Sequence, residues 1–287
     1  MTDRGRARRT VAIWVTACCV GTLLAKLAVN APRHHVNHGD IAFYYAVAKN
    51  LAEGRGFVID YVWNFWNHPT GIPTFSNDWW MPLTSILSAI GMLIGGVSYD
   101  SAQTTMVVLT STLPLVAYLL GSELWDSRAV GLVGALLATT FHLFMDQVSA
   151  PLSHAPYVVL ASLALWLIVR AMREPSGWKW AGAAIGLAQL ASSDAIVLFG
   201  ALAAAALVAR PRPPWRALLL APLCWALVMS PWWIHNLVAL GTPQPGGSLR
   251  AAFLPSYEHW YSLPERVTPE RWVAGGWGRV LALNGQI

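Results

Sequence analysis

Apolar residues gather into long blocks along this chain, and the polar positions between them form short, punctuated breaks. Apolar stretches run over 11–29, 82–97, 104–121, 128–143, 152–170, 180–209 and 215–233. Several approach the roughly 20 residues that cross a hydrocarbon core. The breaks carry Gly95-Gly96, "SELWDSR", "DQVSAP", "REPSGWK", "RPRPP" and "NLVALGTPQPGG", which stop helices or meet water. The stretch 180–209 is too long for one ordinary span, and "SSD" at 192–194 predicts two short helices meeting in a hairpin. The pattern predicts an all-α polytopic membrane protein.

Charge orients the blocks. Arg4, Arg6, Arg8 and Arg9 put the N-terminus in the cytoplasm. A full crossing by 82–97 would carry Arg170, Arg173 and Lys179 outside. That segment would also make only about 24 Å of helix, short of a core of about 30 Å. It is therefore expected to be re-entrant or interfacial. The organisation is then a basic cytoplasmic tail 1–10, a first span 11–29 and a first extracytoplasmic loop 30–103. The remaining spans lie in 104–233, making seven in all, and 234–287 is extracytoplasmic. Asp40, Asp146 and Asp194 fall on one face of the membrane under this threading. Three gathered carboxylates suggest a site.

Composition agrees and removes other classes. Charged residues make up 11% of the chain against roughly 25% in a soluble domain. Sixteen tryptophans fit membrane interfaces. The net charge of +5 comes from the N-terminal tail and short loops, so no nucleic-acid face is predicted. Cys18, Cys19 and Cys224 lie in apolar segments and read as small hydrophobes. The stretch 11–29 exceeds the usual signal-peptide core and reads as a retained helix. No phosphate-binding glycine loop, GxSxG or HExxH pattern is present.

Residues 41–53 show helical periodicity, with Ile41, Tyr44, Tyr45, Ala48 and Leu51/Ala52 on one side and Lys49, Asn50 and Glu53 on the other. Gly54 and Gly56 end the element. It is expected to lie on the membrane surface with its aromatics among the headgroups. Asp40 at its head suits an N-cap. The same position also offers a rigidly held carboxylate that could take a proton from a hydroxyl.

Three motifs then carry a resemblance. They are "GD-x-x-x-Y-x-x-x-A-x-N-L-A-x-G-x-G-F" at 39–57, "WMPL" at 80–83 and "PWWIHN…GTPQP" at 231–245. In this order they resemble the GT-C membrane glycosyltransferases over about 8–262. The branch is the polyprenyl- or dolichyl-phosphate-sugar-dependent one, similar to protein O-mannosyltransferases and the aminoarabinose transferase of lipid A. The resemblance implies seven N-terminal transmembrane helices and a long first external loop with juxtamembrane helices. It implies a sugar donor on a polyprenyl phosphate, delivered through the bilayer, and Asp40 as the catalytic base. Substrate contacts fall on Tyr44, Lys49, Arg55, Asp146, His235 and Asn236. The expected location is a bacterial plasma membrane with the site on the extracytoplasmic side. The chain ends in "WGRVLALNGQI", like the run-up to another helix, so a C-terminally truncated chain is expected.

The pattern also departs from the family. His235, the Ser193-Asp194 pair and Gln103 stand where relatives often carry basic residues. Lys49, Arg55, Arg250 and a protonated His235 are the external cations left for a phosphate. Several residues keep two readings. His235 is a ligand contact or a ring packed on Trp232 or Trp233, and Asp146 lines the site or caps the next helix. Asp194 caps the hairpin or faces the site, and Trp79 and Trp80 are interface anchors or sugar-stacking rings. His34, His35 and His38 read as a solvated turn rather than a zinc site. No metal ligands and no cofactor are assigned, and a divalent-metal requirement stays open. The acceptor, whether glycan, lipid or protein, is not legible. An inactive scaffold of this fold and a polytopic transporter are the alternatives.

Overall fold

The computed structural model describes residues 3–36, 39–65, 69–140, 148–243, 253–254, 259, 263 and 267–274. The described chain is an all-α membrane protein with one two-stranded ribbon. Helix α1 (Asp3–Asn30) is followed by α2 (Gly39–Ala52), then by strands β1 (Val58–Ile59) and β2 (Thr74–Phe75). Next come α3 (Leu83–Gly95), α4 (Tyr99–Thr110), α5 (Leu113–Trp125) and α6 (Arg128–Thr140). After the undescribed segment 141–147 come α7 (His154–Ala171), α8 (Trp178–Ala191), α9 (Leu198–Val208), α10 (Trp215–Leu240) and the short α11 (Pro269–Ala274).

Four stretches are long and apolar enough to cross a membrane: Arg9–Asn30, Tyr99–Trp125, His154–Ala171 and Trp215–Leu240. Leu83–Gly95, Arg128–Thr140 and Ser193–Val208 are apolar but shorter. The apolar stretch 180–209 is broken at Ser192, whose extended backbone ends α8 before a 3₁₀ turn over Ser193–Val197 leads into α9. Helices α4 and α5 run on through Ser111 and Thr112, with Pro114 at the start of α5. Proline has no N–H to give the preceding turn. One turn earlier, the hydroxyls of Thr110 and Ser111 donate back to the carbonyls of Met106 and Val107, at 2.8 and 2.6 Å.

The bundle turns its polar groups inward. On α3, Thr84, Ser85 and Ser88 are fully buried, whereas Ile94 is 85% exposed. A lipid solvent selects this arrangement, because apolar side chains lose nothing by facing it while hydroxyls do. An antiparallel seam joins α1 to α4. Lys26 Nζ donates to Thr110 Oγ1 at 2.6 Å, and Gln103 Nε2 donates to Asn30 Oδ1 at 3.3 Å. Beyond the end of α1, His34 Nδ1 lies 3.2 Å from the Asp100 carboxylate. The three rungs put the end of α1 and the start of α4 at the same end of the bundle.

Helix α8 is the hub of the other half, packed between α7 and α10. Trp178 and Ile185 are fully buried there with Ile168, Leu198 and Leu202. Gly182 lets α8 lie directly on α10, since a Cβ at that position would collide with the Ala221 carbonyl. Overpacking of this kind typically costs about 1–3 kcal/mol. Gly182→Val is therefore expected to lower the thermal unfolding midpoint of the detergent-solubilised protein. An unchanged midpoint would contradict this helix contact.

Candidate functional site

Helix α2 is built to be covered. Phe43 and Val47 are 0% exposed and Tyr44 1%, and α2 lies against α3. The Phe43 ring packs 5.4 Å from Trp63 and 6.4 Å from Trp80, while Tyr44 lies 6.0 Å from Trp80. The expectation that these aromatics sit among lipid headgroups is corrected. Phe57, Tyr61, Trp63 and Trp80, from the chain that follows, pack over the helix and supply protein partners for a face that the sequence alone leaves bare. Asn50 is corrected too. Only 1% exposed, it donates through Nδ2 to the Val58 carbonyl at 2.7 Å, which ties the end of α2 to the β-ribbon. Asp40 lies inside the first turn of α2 rather than ahead of it. A carboxylate there still meets the positive end of the helix dipole.

A second device presents the tryptophans. Buried Asn77 adopts a left-handed backbone, φ 60°, which asparagine tolerates better than most residues. Its Nδ2 donates to the carbonyls of Trp80 and Met81 at 3.1 and 3.3 Å, and Ser76 Oγ donates to its Oδ1 at 2.9 Å. This turn sets Trp80 against Phe43 and Tyr44 of α2, with Trp79 edge-on to Trp80. Its one sequence signal was "SND", a turn-forming triplet ahead of the "WMPL" motif.

Between these elements and the ends of two bundle helices lies a cavity of about 220 Å³. Tyr44, Trp79, Trp80, Ser153, Ser193 and Asp194 are among the residues that line it. Ser153 precedes α7, and Ser193 and Asp194 occupy the turn between α8 and α9. Ser192 Oγ donates to the Asp194 carboxylate at 3.4 Å. Burial pushes the Tyr44 phenol well above its ordinary range. The Ser153 hydroxyl eases that shift and the charge of Asp40 adds to it, while Asp40 itself is not among the residues that line the cavity. The geometry beside Ser153 falls short of a hydrogen bond, and the Tyr44 hydroxyl is left buried without one.

The other expected contacts fall elsewhere or are occupied. Lys49 pairs with Glu53 at 3.9 Å. Arg55 bonds Asp60 and Glu53, each at 2.9 Å, and those two carboxylates raise its already high pKa further. His235 stacks on Trp232 with ring centroids 5.0 Å apart and packs against Phe57 at 4.8 Å. Asn236 is buried and donates to the Pro243 carbonyl at 3.3 Å. Gln103 belongs to the α1–α4 seam. Asp146, Arg250 and His38 lie outside the described residues. Among the described residues, no group of three or more His, Cys, Asp or Glu could hold a metal ion.

Residues 73–235 match the family model of the dolichyl-phosphate-mannose-protein mannosyltransferases, which is more than half of the chain. The chain belongs to that family. It is an integral membrane glycosyltransferase that draws on a dolichyl-phosphate sugar donor. The matched region includes Trp79, Trp80, Ser153 and Asp194, and it begins after Asp40 and Tyr44 on α2. No curated protein and no solved structure matches the chain.

A buried hydroxyl without a hydrogen bond costs about 1–3 kcal/mol. Tyr44→Phe removes that cost, so the unliganded protein is expected to melt at the same or a higher temperature while sugar transfer falls. A clear drop in the melting temperature would show that the hydroxyl is already satisfied.

Proposed function

We propose that this chain transfers a hexose from a dolichyl- or polyprenyl-phosphate donor to an acceptor hydroxyl on the extracytoplasmic side, with Asp40 as general base and inversion at the anomeric carbon. The observation that carries the reading is the placement of Asp40 in the first turn of a clamped helix, one turn before Tyr44, which lines the cavity. Family membership supplies the donor class. The basic residues support the side. Arg170, Arg173 and Lys179 lie around the end of α7, Arg210 and Arg212 lie between α9 and α10, and Arg216 lies in the first turn of α10. Both groups sit at the opposite helix ends from the cavity, where the positive-inside bias puts the cytoplasm.

In this mechanism the acceptor O–H gives its proton to the Asp40 carboxylate as its oxygen bonds to the anomeric carbon. The bond from that carbon to the phosphate oxygen breaks, and the electron pair leaves with the lipid phosphate. Attack from the face opposite the leaving group inverts the centre, as in inverting glycosidases. The lipid tail keeps both donor and leaving group in the bilayer, so a site at the rim of the helix bundle meets them where they travel. General-base catalysis typically contributes about 10²–10⁴-fold.

Asp40→Asn keeps the size and helix position of the side chain but cannot take the proton. Transfer from dolichyl-phosphate mannose, measured in reconstituted membranes, is expected to fall by at least about 100-fold with membrane insertion and melting temperature retained. Transfer at the unmodified rate would remove Asp40 from the mechanism.

A further inference from the structure

Among the described residues that line the cavity beneath Trp80 there is no lysine, arginine or histidine, and this bears on what it can hold. Its walls combine the tryptophan rings of Trp79 and Trp80 with the hydroxyls of Tyr44, Ser153 and Ser193 and the carboxylate of Asp194. Aromatic faces suit the apolar side of a sugar ring, and hydroxyls with a carboxylate suit its O–H groups. Among the described residues, the Tyr44 hydroxyl and Trp80 Nε1 are buried without a hydrogen-bond partner. A phosphate would meet the opposite conditions, because Asp194 would repel it and no cationic side chain among the described lining residues would offset that charge. The volume of about 220 Å³ lies below the roughly 300–1,000 Å³ of drug-sized sites and fits a single ring.

We infer that this cavity is a subsite for one uncharged pyranose ring and that Asp194 binds it by accepting hydrogen bonds from ring hydroxyls. The inference takes its substrate class from the transfer reading above, while its geometry stands apart from Asp40. The lipid phosphate then belongs outside the cavity, with the anomeric carbon at the side nearer α2. The hexosyl unit of the donor and a saccharide acceptor offer the same chemistry to these walls.

The test uses the intact chain in lipid nanodiscs and equilibrium dialysis with radiolabelled methyl α-D-mannopyranoside. The unmodified chain is expected to bind the glycoside. Asp194→Ala should bind it at least about tenfold more weakly, as for the loss of a hydrogen bond to a charged group, with Asp194→Asn in between. Asp194 is exposed at the cavity mouth, so these replacements leave the core intact. Displacement of the glycoside by dolichyl-phosphate mannose but not by dolichyl phosphate supports the inference and assigns the cavity to the donor sugar. Retention in the presence of both lipids supports it and assigns the cavity to an acceptor saccharide. Displacement by dolichyl phosphate alone would overturn the inference, because the phosphate would then occupy the cavity. Equal binding by the unmodified chain and Asp194→Ala, or no binding by the unmodified chain, would overturn it too. Failure of the Asp40 assignment reads out separately, as full transfer by Asp40→Asn, and leaves this binding result standing.

Discussion

The site depends on how α2 is covered. Phe43, Tyr44, Val47 and Ala48 carry almost no exposure, and complete burial of a large apolar side chain contributes about 1.5–3 kcal/mol. Trp63 and Trp80 close over that face from the loop that follows the helix. With its buried face fixed, α2 has one angular setting, and Asp40 and Tyr44, one turn apart, take their directions from it. Catalytic groups need placement to within a fraction of an ångström. A helix floating in the headgroup layer could not give that, whereas one locked beneath two tryptophans can.

The bundle beneath obeys a different rule. Lipid offers no hydrogen bonds, so the polar side chains of the spans must find one another. Lys26 reaches Thr110, Asn30 reaches back to the Lys26 carbonyl, and Gln103 meets Asn30. Glycine does the complementary work. At Gly91 the wall is the Thr105 side chain with the Ser101 carbonyl, and at Gly182 it is the backbone of α10. Close helices and paired polar groups hold the ends of α1, α7 and α8 in a fixed array, and the cavity forms where that array meets α2. Two solvents thus shape one protein, with lipid organising the spans and burial under a loop organising the site.

The helices were legible in the sequence because apolar blocks and their glycine, proline and charged breaks are local signals. The break at Ser192 and the helix opening at "WMPL" follow from the same signals. The start of α2 was legible to within a turn, and Asp40 and Tyr44 were singled out from a motif. What could not be read was which side of α2 faces protein. Asn50 looks like a surface residue until the carbonyl of Val58 is brought to it by the ribbon, a contact made only after the chain turns back. Asp194 looked more like a cap than a site residue because its neighbours in the cavity, Tyr44 and Trp80, lie more than a hundred residues away. Arg55 and Lys49 were credible phosphate ligands by charge alone, and only folding shows them holding the acids of their own loop.

One measurement bears most directly on the idea that α2 delivers a carboxylate to a sugar. It is an experimental structure of the chain in a nanodisc loaded with dolichyl-phosphate mannose. The account predicts α2 beneath Trp63 and Trp80, the hexose beside Tyr44, and the Asp40 carboxylate facing the anomeric carbon from the side opposite the phosphate. A hexose bound away from α2, or an Asp40 turned to bulk water while the donor is seated, would contradict it.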